Sequence, residues 1–415
     1  MRSNYKPIGD YIHLVDERNK DLKVTRLLGL SISKEFIRSV ANTVGTDMRN
    51  YKIIRKNQFA CSTMQVRRDR KMPVALLTDF DEAIISQAYP IFEIHDKNQI
   101  LPEYLMMWFS RAEFDRHAEF LAVGGVRGTL EWEDFLAMEL PVPSIEKQQE
   151  IVKEYNVVKN RIALNEQLNR NLEETAQALY KLWFVDFEFP VSKESHPKLV
   201  SGSQPLGYKS AGGKMVFNEE LDKEIPVGWS NGKFQDHVNI KMGQSPKGST
   251  YNQNGNGTPL INGPVEFGNF FTEKRKWTSA PTKLCEKGDL IICVRGSTVG
   301  RFVKSDGIYC LGRGVCSFKA IHSQRFVDEL YKYSLEELLS YTTGSTFPNL
   351  DGQTLLNFSS IIPTIEIVRL FNKVVNTLYL IVESKAREIV CLNEFQTLLL
   401  SKMATVGSEE EIISY

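Results

Sequence analysis

The chain has no apolar run approaching the roughly 18 residues that a bilayer span requires, which excludes a helical transporter or receptor. Its opening, MRSNYKPIGDYI, lacks the apolar core of a signal peptide, so the expected location is the cytoplasm. Cysteine is scarce. The six thiols, at 61, 285, 293, 310, 316 and 391, make no C-x-x-C pair and have no histidine at ligand spacing, which argues against a disulfide framework or a zinc site. The six histidines, His13, His95, His117, His196, His237 and His322, form no cluster in sequence. An excess of either charge is also missing: 51 basic residues face 51 acidic ones, whereas a dedicated nucleic-acid binder is often strongly basic.

Catalytic phrases are missing as well. No Asn/Asp-Pro-Pro-aromatic loop is present to hold a flipped adenine. GQSPKGST comes nearest to a phosphate-binding P-loop, but Ser249 stands where the lysine must be. No acidic pair is framed like a nuclease site, and no repeat of 20 to 50 residues marks a solenoid. Any enzymology is expected to reside on other chains, and no cofactor or metal is expected on this one.

What is present is ordinary globular usage, 42% hydrophobic and 25% charged over 415 residues, enough for more than one core. A much longer repeat also emerges. Shifted by 220 residues, GGVRGTLEWEDFLAMELPVPSIE (124–146) lies without a gap on GSTFPNLDGQTLLNFSSIIPTIE (344–366). Gly124/Gly344, Leu130/Leu350, Leu136/Leu356, Pro143/Pro363 and Glu146/Glu366 coincide, and the offset still holds at Leu172/Leu392 and Leu179/Leu399. Upstream it drifts to 231 at KIIRKNQFA against KLCEKGDLI and to 226 at IGDYI against FQDHV, as loop insertions would cause.

Each repeat reads as a β-rich globular part followed by one long helix, about 144–184 and about 364–403. Pro143 and Ser144, and Thr364 in the second copy, suit a helix start. Apolar residues at Ile145, Val152, Tyr155, Val158, Ile162, Leu168, Leu172, Leu179 and Leu182 predict one seam. The second helix offers Ile365, Val368, Phe371, Val375, Leu378, Val382, Ile389, Leu392, Phe395 and Leu399. A rod of roughly 60 Å outruns one small domain, so the alternative to a packed core helix is an antiparallel coiled coil. The expected fold is α+β: two mixed α/β heads joined by two long helices, with a pseudo-twofold internal repeat. The boundaries are head 1–142, helix 143–189, linker 190–228, head 229–362, helix 363–405 and tail 406–415.

This layout resembles the specificity subunits of type I restriction-modification systems. The local phrases that carry the resemblance are IPVGW (225–229), KGDLIICVRGSTVGR (287–301), TGSTFPNLDGQTLLNFSSIIPTIE (343–366), and PVPSIEKQQEIV leading to LNRNLEETAQALYKLWFVDF. The resemblance implies that each head is a target recognition domain reading one half of an asymmetric, bipartite double-stranded DNA sequence. It further implies that the helices set the spacer and dock two methyltransferase subunits, with restriction subunits completing the assembly. The chain itself would be non-catalytic, with S-adenosylmethionine on the adenine-N6 methyltransferase and ATP and Mg on the restriction partner. The first head departs from the pattern, lacking the IPxGW opening and carrying GGVRGTL where the second has TGSTFPNL. A recognition subunit of a type IIB-like enzyme and a coiled-coil scaffold binding other proteins are the competing readings.

Residues suited to DNA contact can be nominated by type. QVRRDRK holds Arg67, Arg68, Arg70 and Lys71, and reads as a phosphate loop or a solvated turn. EKRKW supplies Lys274, Arg275 and Lys276, on a DNA-facing or a solvated hairpin tip. VRGSTVGR offers Arg295, Ser297, Thr298 and Arg301 around glycines that admit a phosphate, or simply a tight turn. Gln244, Lys247 and Tyr251 lie in the polar loop GQSPKGSTYNQNGNG, and Arg127 and Thr346 sit at matching corners of the repeat. Trp108, Trp132, Trp183 and Trp229 are assigned to core or subunit interfaces.

Overall fold

The computed structural model describes residues 5–39, 45–124, 128–190, 207–344 and 348–405. It divides into two compact units, Met1–Ala163 with Val390–Tyr415, and Leu164–Ile389. Both mix helices and strands.

In the first unit an antiparallel sheet runs in the order Ile12–Val15, Ile91–Ile94, Phe59–Cys61, Val74–Leu76. In the second the order is Val238–Met242, Val315–Ala320, Leu290–Cys293, Phe302–Lys304. The two sheets correspond residue by residue. Ile12 faces Ile94 as Val238 faces Ala320, and Phe59 faces Phe92 as Leu290 faces Phe318. A second pairing repeats too: Pro7 opposes Glu139 as Lys233 opposes Ser359. These pairings relate strands of the two units by 226 residues at one edge, 231 at the centre and 220 beyond.

The inner strands explain their own composition. Phe59–Cys61 and Leu290–Cys293 are buried throughout, because both faces of each sheet are covered. One face of the first sheet packs Phe59, Cys61 and Phe92 against helices Pro102–Phe109 and Ala112–Leu121. The other sends Ala60 and Ile91 into a smaller cluster with Leu28, Ile54 and Ile85. In the second unit Leu290, Ile292 and Phe318 meet helix Gln324–Ser340, while Ile291, Cys293 and Val315 meet Ile261 and Tyr309. A further five-stranded sheet in this unit runs Tyr251–Asn252, Trp277–Thr278, Thr258–Ile261, Tyr309–Leu311, Leu284–Cys285.

The long helices span Ile145–Phe184 and Ile365–Lys402. At the first start, the Ser144 carbonyl accepts from Gln148 N, and Ser144 Oγ from Lys147 N at 3.4 Å. The Gln148 side chain is fully buried, donating to Gln99 O and Pro143 O and accepting from Leu101 N. Val368 stands 220 residues on, buried among apolar side chains. In the second unit Tyr180, Trp183 and Phe184 of one helix meet Phe371 of the other at ring-centroid distances of 5.0–6.2 Å. In the first unit Leu400 and Met403 share a cluster with Ile151, Val152 and Tyr155.

The seam differs from the expected row. Leu168, Leu182 and Phe395 are exposed, whereas Asn165, Asn169 and Ala176 are buried. Burial recurs at Val158, Asn165, Asn169, Ala176, Tyr180 and Trp183, at spacings of 3, 4 and 7 that keep one stripe of the helix inside, and that stripe includes two amides. Part of the presumed linker is also ordered: Met215–Asn218 pairs with Lys223–Pro226, Tyr208 stacks on Phe189, and Ile225 is buried. Aromatic residues in a Ser/Gly/Pro-rich stretch give it something to bury.

Trp108, Trp183 and Trp229 are buried and Trp132 is partly so. All six cysteines are free; five are buried, and Cys391 is exposed. Histidines isolated in sequence come together in space, since strand pairing stacks His13 on His95 with centroids 4.6 Å apart. Among the described residues no group of three His, Cys, Asp or Glu could hold a metal, and no helix is long and apolar enough to cross a membrane.

Candidate nucleic-acid interface

The two heads build one corner in the same way. In the first, Val123 and Thr129 exchange backbone hydrogen bonds, and Leu130 N donates to Thr63 O at 2.9 Å. In the second, Thr343 and Asn349 exchange them, and Leu350 N donates to Val294 O at 2.9 Å. The chain then turns through a left-handed residue at corresponding places, Gln65 with φ 65° and Gly296 with φ 83°. Gly296 donates its N–H to Pro348 O, and Val66 donates its own to Gly128 O. Glycine takes this φ without strain, while Gln65 holds it against its Cβ. Arg127 and Thr346 lie outside the described residues.

The basic run of the first head separates into different roles. The Arg67 guanidinium donates to Ala122 O at 2.6 Å and Gly124 O at 3.2 Å, tying the turn Val66–Asp69 to the corner. Arg68 is paired with Asp69 at 2.6 Å. Arg70 is highly exposed, 3.8 Å from Glu119, and Lys71 is exposed beside it. In the second head Arg295 donates from Nε to Asn349 Oδ1 at 3.2 Å. Ser297 and Arg301 are exposed along the same turn, and Thr298 is half-buried.

A separate group gathers on the five-stranded sheet. Pairing of Tyr251 with Thr278 brings Lys276 over the Tyr251 ring, 5.7 Å from its centroid. The Tyr251 hydroxyl donates to Pro246 O, next to exposed Lys247. Lys274 is exposed, and Arg275 is paired with Glu273 at 2.5 Å. Gln244 is exposed, its backbone N–H donating to Leu311 O at 2.8 Å. The 311 strand leads into Gly312-Arg313-Gly314, where Arg313 is exposed. Reading by basic runs passed over this arginine because it stands alone; the available signal was its position between two glycines.

What these surfaces share is cations and amides on turns held by backbone hydrogen bonds. A family model described as the Type I restriction modification DNA specificity domain matches residues 75–174 and 226–389, more than half of the chain. The chain belongs to this family. It is a type I specificity subunit with two recognition domains. Among its relatives, the Type I restriction enzyme MjaIX specificity subunit of Methanocaldococcus jannaschii is 25% identical over 323 residues, 74% of this chain and 69% of that protein. The Type I restriction enzyme HindI specificity subunit of Haemophilus influenzae is 30% identical over 139 residues, covering 33% of this chain and 30% of that one. A solved Type-I restriction-modification system S subunit from M. genitalium shares the fold, with a TM-score of 0.52 at 16% identity over 96% of this chain and 95% of that one.

Proposed function

We propose that this specificity subunit reads an asymmetric, bipartite double-stranded DNA target in the cytoplasm, one half per recognition domain, and is non-catalytic by itself. One observation carries the reading: two heads share a strand register yet present different side chains on matching turns, Arg67 against Thr298 and Gln65 against Gly296. A common frame with unlike edges is what two unlike half-sites require.

The long helices are read as an antiparallel coiled coil, supported by the buried stripe on each helix and the sequence repeat. Heads related by a pseudo-twofold would address opposite strands, and the helices would fix the number of base pairs between half-sites. Rows of exposed apolar residues remain on both helices of the second unit, Leu164, Leu168 and Leu182 on one, and Leu370, Val374 and Ile381 on the other. Such rows suit burial by partner helices, and we assign them to docking of two methyltransferase subunits. S-adenosylmethionine would be bound by those subunits, and ATP and Mg by a restriction subunit.

Sequencing for N6-methyladenine in the native host, with and without the gene, tests the reading. Loss of methylation on both strands of one interrupted, asymmetric motif is expected. Persistence of every methylated motif, in cells shown to contain the methyltransferase bound to this chain, would overturn it.

A further inference from the structure

The turn carrying Arg313 is held by hydrogen bonds from both flanks. Two backbone segments, 243–245 and 311–315, are locked face to face. Gly243 N donates to Val315 O at 3.0 Å, Gln244 N to Leu311 O at 2.8 Å, and Arg313 N to Ser245 Oγ at 3.1 Å. Thr282 Oγ1 closes the group by donating to Gln244 O. Gly312 N reaches Ile261 O at 2.7 Å, and Leu311 N reaches Lys283 O at 2.7 Å.

Three glycines make this packing possible. A Cβ on Gly243 would lie 2.2 Å from Gly312 O, one on Gly314 2.3 Å from Asn262 O, and one on Gly312 2.0 Å from Asn262 Oδ1. The backbone is therefore fixed to either side of Arg313 while the side chain itself stays exposed. No ion pair or hydrogen bond engages its guanidinium among the described residues. In that it differs from Arg275, paired to Glu273, and Arg295, bonded to Asn349. Gln244, across the clamp, is likewise exposed, and among the described residues no hydrogen bond engages its side-chain amide.

We propose that Arg313, with Gln244 beside it, is a base-reading residue of the second recognition domain, its guanidinium addressing a guanine edge in the major groove. The inference rests on the DNA-reading function above. A guanidinium offers the forked donors that match guanine O6 and N7, and a glutamine amide matches adenine. Bidentate readout needs a backbone that does not move, which the glycine clamp supplies. The side-chain-free flanks let the turn enter a groove, while Lys247 and Lys283, exposed on the adjoining segments, are available for phosphates. The matching strand registers place Gln87, also exposed, at the corresponding position of the first head: it precedes Ile94 by the seven residues that separate Arg313 from Ala320. The two heads thus offer different readers from one place in the frame.

The test uses the full chain assembled with its methyltransferase partner and a pool of randomised DNA duplexes, from which bound sequences are enriched and counted. For Arg313→Ala, preference at one or two adjacent positions of a single half-site should relax by roughly 10- to 100-fold, the other half-site staying as in the wild type. Arg313→Lys keeps the charge but not the fork, and should relax the same positions. A uniform loss of affinity with an unchanged motif would make Arg313 a phosphate contact and overturn the inference, as would no change at all. A wild-type complex that enriches no motif would instead remove the DNA-reading function itself.

Discussion

Lys304 and Asp328 form the most buried ion pair among the described residues of the second head, 2.8 Å apart with side chains 9% and 2% exposed. Burial pushes the Lys304 ammonium below its usual pKa, and the Asp328 carboxylate opposes that shift. Gln324 and Arg325 contact the same carboxylate, and Arg325 extends the network to Glu383 on the second long helix. Removing one partner leaves an uncompensated charge in the interior, so Lys304→Met should cost about 3–5 kcal/mol, whereas Lys304→Met with Asp328→Leu should recover most of it. Denaturant unfolding of the three proteins checks this; equal stability of single and double variants would refute it. Asp351 makes a pH-dependent contribution. Its carboxylate accepts from the Thr354 N–H and hydroxyl and from Gln353 N at 2.7–3.0 Å, and these bonds hold its pKa below the carboxylate range. A folded pKa below the unfolded one means stability that is present above about pH 4 and lost as pH falls through the folded value. Asp351→Ala should cost about 1 kcal/mol at neutral pH. Asp351→Asn should keep most of this capping of the short helix Gly352–Asn357 while flattening the acid limb of the stability curve. Such roles were only partly legible beforehand: residue type marked Arg67 as a cation, but its backbone carbonyl partners lie 55 and 57 residues away in sequence.

Among elements, the long helices were the most legible. Caps and periodicity place them within a residue or so of the observed Ile145–Phe184 and Ile365–Lys402, because a two-fold longer apolar pattern than usual leaves little choice of phase. The inner face was less legible, since counting apolar residues favoured Leu168 over Asn165 and Asn169. Asn165 Nδ2 and Asn169 Oδ1 are buried without a hydrogen-bond partner among the described residues. An unsatisfied buried amide costs about 1–3 kcal/mol, so Asn165→Leu should raise the stability of the second unit, visible as a higher Tm. The accompanying loss should be in uniqueness of helix register, the property that buried asparagines specify in coiled coils, and cross-linking between neighbouring seam positions would reveal it. A lower Tm for the leucine variant would mean that these amides are satisfied by ordered water.

For the whole molecule, the repeat was visible because glycine, proline and capping residues survive at fixed offsets, while the strands between them keep only their hydrophobicity. Phe59 and Leu290 share a place in their sheets but not an identity; the offset of 231 sets one on the other, and the pairing registers agree. The loops that carry Arg313 and Gln87 share neither, which is why the candidate readers could be found by geometry and not by comparing the two halves. If the helices act as a ruler, inserting matched turns into both should widen the gap between half-sites and leave each half-site unchanged. Methylome sequencing of the lengthened protein checks this, and an altered half-site would contradict it.

The distribution of thiols has a practical side. Burial raises the pKa of Cys61, Cys285, Cys293 and Cys316, and Cys310 is buried as well, so none of the five is open to an alkylating reagent. Cys391 is left as a natural attachment point on the second long helix. A maleimide dye would then label the native sequence at one known position, and its emission would report the arrival of any subunit on that helix without a single engineered residue.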